Sequence, residues 1–217
     1  MKTSILYFFL LAALVCMFAF TSKESDNFIL WNPAIKLTWE DFQGRADSAI
    51  LKKNNTLEDQ LIIEGNKSTF IHTETEAYCA HKVSFSASYK GDTIVFEVKN
   101  YFDKRKSWKK TNSEYILNHE QRHFDIAEVC ARKFRKLLKD SVNSFDQASQ
   151  KAMFNRFSLE DKYEQELYDS ITSHSMNIEA QTNYNIKIDS LLNAYKENAE
   201  IIVKKYAPQP KRIIKRK

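Results

Sequence analysis

The chain has 217 residues, a formal net charge of +5, 28% charged and 43% hydrophobic side chains, and only three glycines and three prolines. That length suits one domain able to bury a core without metal or disulfide staples, and so few helix breakers predict a largely helical chain. Much of the positive excess sits in residues 210–217, a solvated tail. Nucleic-acid binding is excluded on this reading, because it asks for basic residues interleaved with exposed aromatics in a defined module.

A single Lys2 precedes an almost purely apolar run from Ile5 to Phe20, which turns polar at Thr21, Ser22, Lys23 and Glu24. This is the layout of a secretory signal peptide over residues 1–21, with cleavage after Thr21. The run is shorter than the roughly 20 residues of a permanent span, so no stable membrane span is expected once the leader is removed. Val15 precedes Cys16 where lipidation asks for a small residue, which ranks lipidation lower. A domain over 22–207 and a basic, disordered tail over 208–217 follow. Export places the protein in the cell envelope, secreted or periplasmic, and an oxidising compartment permits Cys79 and Cys130 to pair.

In chain order, residues 30–44 predict a short strand and a turn, with Trp31 and Trp39 anchoring an edge of the core. The stretch 46–65 reads as loop and weak strand. Val83, Phe85, Ala87 and Tyr89 alternate with Lys82, Ser84, Ser86 and Ser88; after Lys90, Gly91 and Asp92 come Ile94, Phe96 and Val98. That pattern predicts an antiparallel hairpin with one apolar face.

From Glu114 to Asp140 there is no Gly or Pro, and Ser113 is a fair N-cap, so one long helix is predicted. At 100° per residue, Ile116, His119, His123, Ile126, Ala127, Cys130, Phe134 and Leu137 share one core-facing stripe. Arg122, Glu128, Arg132 and Arg135 fall outside it and are expected on a solvated face. Further helices are expected at about 159–173 and 177–206. The fold class is therefore α+β: a helix-dominated single domain with a small antiparallel sheet packed on the long helix.

That helix carries the chemistry. His119, Glu120, Gln121, Arg122 and His123 form His-Glu-x-x-His, in which histidines four residues apart share a face and grip one ion, while Glu120 lies within reach to accept a proton from attacking water. Two buried imidazoles side by side must otherwise find hydrogen-bond partners or lose free energy. Zinc is the expected cofactor, and it needs a third protein ligand, leaving a fourth position for water. The helix continues past Ile126 and Val129, so the ligand must come from a distant segment, where Tyr168, Asp169, Thr172, His174, Glu179 and Gln181 cluster. His174 is favoured, with Glu179 and Asp169 behind it. Trp39 and Phe42 read as core anchors, Trp108 as packing against the long helix, and His72 and His81 as ordinary strand-region histidines. Tyr168 is a candidate donor to an oxyanion.

These residues resemble a bacterial family catalogued as domain of unknown function 922, described as predicted secreted zinc-dependent proteases. The resemblance covers most of the mature chain. It rests on Leu37-Thr38-Trp39-x-Asp41-Phe42-x-Gly44, on Ser107-Trp108, on His119-Glu120-Gln121-x-His123-Phe124-Asp125-Ile126-Ala127-Glu128, and on Tyr168-Asp169-x-x-Thr172-x-His174 with Gln181 following. The family commonly has glycine where this chain has Arg122, and another after the later histidine, where this chain has Ser175. The resemblance implies a zinc-dependent metallopeptidase acting on a protein or peptide substrate. The alternatives are a zinc amidase acting on cell-wall material and a non-catalytic envelope protein with a structural zinc.

Overall fold

The structure, a computed structural model, describes residues 26–46, 60–64, 67–71, 76–90, 93–141, 147–200 and 202–205. The predicted leader, the basic tail, His72 and the Gly91-Asp92 turn lie outside the described residues. The strands are β1 (Phe28–Leu30), β2 (Gln60–Glu64), β3 (Lys67–Ile71), β4 (Ala77–Tyr78), β5 (His81–Lys90), β6 (Thr93–Asp103), β7 (Trp108–Lys109) and β8 (Ile202–Lys205). The helices are α1 (Glu114–Asp140), α2 (Gln147–Thr172) and α3 (Ile178–Ala194). The protein is an α+β domain in which a small antiparallel sheet backs a helical layer.

The centre of the sheet is β6. It pairs with β5 along its whole length, while its other edge is shared by β1, opposite Tyr101–Asp103, and β8, opposite Thr93–Phe96. Strict alternation buries Ile94, Phe96, Val98, Asn100 and Phe102. Strand side chains point alternately to the two faces, so this one row meets the helices. Phe134 of α1 packs face to edge on Phe85 and stacks on Phe157 of α2, the ring centroids 5.3 and 5.1 Å apart, and Ile126, Val129, Cys130, Tyr168 and Ile188 complete the cluster. A second cluster of Leu37, Trp39, Phe42, Ala77, Cys79, Phe102 and Phe124 seats the first half of α1. Trp39 and Phe42 are thus core anchors, as expected. Gly44 is required here: a Cβ would stand 2.6 Å from Arg105 O and 2.7 Å from Ser107 O, nearer than real Cβ atoms approach.

α1 begins and ends where its sequence predicts, with the Ser113 hydroxyl accepting from Ile116 N. Its surroundings differ from the prediction. Leu137 is 40% exposed, whereas Glu128, Arg132 and Arg135 are nearly fully buried. The expected solvated face is covered by residues 30–37, β6 and the end of α3. α2 starts a dozen residues earlier than predicted, because Phe154 and Phe157 have Phe85 and Phe134 to pack on. α3 stops at Ala194, and the chain instead supplies β8 to the free edge of β6, so the helix predicted to 206 is corrected to a shorter helix and a strand. Trp108 is buried and stacks on Tyr78. Cys79 and Cys130 are both buried free thiols, each held as the thiol by burial, and the permitted disulfide is not formed.

Candidate metal centre

Three helices meet at the first half of α1. Tyr168 of α2 is wholly buried, and its ring lies 4.7 Å from that of His119 at 20°, while His123 meets the same ring edge-on at 5.2 Å. One aromatic plate therefore fixes both imidazoles. The phenol oxygen, a candidate oxyanion donor, donates to Asn185 Oδ1 of α3 at 3.1 Å.

The next residue along α2, Asp169, brings a carboxylate to the two imidazoles. His119 Nε2 stands 3.2 Å from His123 Nε2, and Asp169 Oδ1 stands 3.1 Å from the former and 3.0 Å from the latter. Among the described residues, His119, His123 and Asp169 are the group of three that can hold a metal ion. A tetrahedron with bonds of about 2.0–2.1 Å has edges near 3.3 Å, and an octahedral cation of that size has adjacent ligands near 3.0 Å. The triangle fits a small divalent cation in either geometry.

His174, the favoured third ligand, lies one step behind: its Nδ1 is 3.6 Å from Asp169 Oδ1, and it is not a member of the group. The cause is local. α2 ends at Thr172, and Ser173, His174 and Ser175 follow with φ of 50°, 49° and 69°, a left-handed turn that carries the imidazole past the end of the helix. Glu179 is exposed in the first turn of α3 and takes no part. Asp169, third in the predicted order, is in place because α2 packs its Asp161, Gln165 and Asp169 row against α1.

Glu120 is buried at 4% exposure beside the group. Burial raises its carboxyl above the usual range, the two histidines oppose this, and the Cys79 backbone donates to it. In the metal-free site burial pulls His123 down, but the adjacent Asp169 carboxylate outweighs it and raises the imidazole to about 9. Asp169, despite burial, is held well below the ordinary carboxylate range by His123 and His119.

Two further partners escaped the sequence reading. His123 Nδ1 lies 2.6 Å from Gln165 Oε1, and His119 Nδ1 lies 3.1 Å from Gln181 Oε1. Gln181 is named from sequence in the distant cluster and among the motif residues, but without this role. Gln165 and Asp161 had a signal, since Asp161, Gln165 and Asp169 repeat at four residues and so share one face of α2. His81, expected to be ordinary, ends this chain of contacts on Asp161 Oδ2 at 2.9 Å.

Comparison with family models, with curated proteins and with solved structures finds no match for this chain.

Proposed function

We propose that the protein is a zinc-dependent hydrolase of the cell envelope that cleaves peptide bonds. The observation that carries this reading is the convergence of His119 Nε2, His123 Nε2 and Asp169 Oδ1 within 3.2 Å of one another, next to a buried glutamate whose carboxyl is raised. The His-Glu-x-x-His order favours zinc among divalent cations, and zinc would supply Lewis acidity, polarising a carbonyl and acidifying water. His119, His123 and Asp169 would hold it.

Glu120 takes a proton from the attacking water and returns it to the departing amine; its raised affinity for protons suits both halves of that task. Structural zinc sites are closed by four protein ligands, whereas among the described residues three such groups converge and Asp169 is 29% exposed, which supports a catalytic over a purely structural reading. No helix among the described residues is long and apolar enough to cross a membrane. The leader-like N-terminus supports export, and substrate testing separates a peptidase from an amidase acting on cell-wall material.

Glu120→Gln tests the assignment. The variant is expected to fold and to retain one zinc per chain, while hydrolysis of a quenched-fluorescent peptide library falls about 10²–10⁴-fold, the usual contribution of a general base. Undiminished turnover would remove Glu120 from the reaction.

A further inference from the structure

A histidine can bind a cation only through a ring nitrogen that carries a lone pair, so a pair of histidine ligands needs both rings in one tautomer. The hydrogen bonds around the centre decide that tautomer. Gln165 Nε2 lies 3.1 Å from His123 O and 3.2 Å from Asp161 Oδ1, a carbonyl and a carboxylate that accept. The amide nitrogen must therefore face them, and Oε1 faces His123 Nδ1, which has to be an N–H. Gln181 repeats the logic: its Nε2 donates to Tyr115 O at 3.5 Å, so its Oε1 accepts from His119 Nδ1. Each ring then presents its Nε2 to Asp169 Oδ1, where the lone pair becomes available to a cation once any proton on that nitrogen has left.

We infer that Gln165 and Gln181 are positioning residues that set the tautomers of His123 and His119 and so form the metal site before the metal arrives, with Asp161 and His81 fixing the orientation of Gln165. This rests on the metal reading above and adds to it a division of labour between two glutamines that are not equivalent. Gln181 is 1% exposed and does little besides accept from His119, its one donor bond being long. Gln165 must accept and donate together, because Asp161 is braced from the other side by His81 Nε2 at 2.9 Å. A carboxylate in place of Gln181 keeps the essential acceptor and forms a carboxylate–histidine–metal array. A carboxylate in place of Gln165 opposes Asp161 and a backbone carbonyl, with no proton between them.

The test measures zinc affinity, by competition with a chromophoric chelator, for the full mature chain and the variants Gln165→Leu, Gln181→Leu, Gln165→Glu, Gln181→Glu and Asp161→Asn/Gln165→Glu. Ring N–H signals are followed in cadmium-loaded protein carrying 15N-histidine. Each leucine variant is expected to lose about 10–100-fold in affinity, the usual cost of removing a partner behind a metal ligand. It should also lose the slowly exchanging Nδ1–H of its own histidine alone. Gln181→Glu should hold or exceed the native affinity; Gln165→Glu should fall with Gln165→Leu; and Asp161→Asn, which restores a donor opposite the new carboxylate, should rescue it. If Gln181→Leu fails to fold, the three glutamate variants carry the comparison. Folded leucine variants with native affinity and both N–H signals, or a Gln165→Glu indistinguishable from the native protein, would overturn the inference. A native chain that binds neither zinc nor cadmium sinks the metal reading itself, and this with it.

Discussion

The two faces of α1 bury polar side chains in comparable number and to opposite effect. On the back, Glu128 accepts from Arg132 Nε at 3.0 Å and from Arg135 Nη1 at 2.9 Å, and the remaining guanidinium bonds go to Val98 O, Asn198 O and Leu192 O. Ahead of it, Asp125 accepts from Trp31 Nε1, Gln121 and Arg122, and Gln121 accepts from Leu37 N. These bonds tie residues 31–37, β6 and the end of α3 to one helix. On the front, His119 Nε2, His123 Nε2 and Asp169 Oδ1 meet within 3.2 Å of one another. The back cluster ties elements together, and the front one gathers a group that could hold a metal ion.

The sharpest way to break the comparison is to remove Glu128. Glu128→Ala leaves Arg132 and Arg135, each 5% exposed, without their shared counter-charge, and is expected to cost about 3–5 kcal/mol in chemical denaturation. Molecules that remain folded should bind metal with native affinity. Loss of metal affinity in step with stability would show that the two faces are one cooperative unit.

The front face should answer the other way. His119→Ala is expected to abolish zinc binding while changing the stability of metal-free protein far less than Glu128→Ala does. Zinc at about 100–1,000 times its dissociation constant should stabilise the native chain by roughly 3–4 kcal/mol and the variant not at all, read as the shift in unfolding midpoint with and without chelator. The pH dependence follows from His123. Its folded pKa, about 9, lies above the unfolded value, so metal-free protein has the full benefit of that proton below about 6.5 and loses it as pH rises through 9. Zinc must displace the same proton, so its affinity should climb over that range. A flat affinity between pH 6.5 and 9 would contradict the site drawn here.

The front face was largely legible in the sequence and the back face was not. Periodicity places His119 and His123 inward, because a helix with no Gly or Pro has one register. The same periodicity assigns Arg132 and Arg135 to solvent, since a charged residue opposite an apolar stripe looks the same whether water or a carbonyl-rich wall lies beyond it. Val98 O and Asn198 O are contributed by the fold, and no side-chain pattern announces them. The end of α3 was hidden for a like reason: residues 195–201 contain no breaker, and pairing of β8 with β6 ends the helix. The third member of the group falls between these cases: the sequence names the segment 168–181 and prefers His174 to Asp169, whereas the packing of α2 on α1 brings the Asp169 carboxylate to the two histidines and leaves His174 Nδ1 3.6 Å from it.

The smallest expected effect concerns the turn that sets His174 behind Asp169. Ser173, His174 and Ser175 all have positive φ, a conformation in which Cβ crowds the following carbonyl at a cost of roughly 1–2 kcal/mol per residue. The turn is held by His174 N donating to Asp169 O at 2.9 Å and Asn177 N to Thr172 O at 2.8 Å. Ser175 stands at 69°, a φ that glycine adopts without penalty. Ser175→Gly is therefore expected to relieve local strain, offset in part by the greater entropy of an unfolded glycine, for a net gain of about 0.5–1 kcal/mol in denaturation with zinc affinity unchanged. Ser175→Ala, which keeps the Cβ, should give no such gain. If glycine destabilised the protein or weakened zinc binding, the strain would belong to the site, pressing His174 towards Asp169, rather than being the by-product of a helix ending next to it.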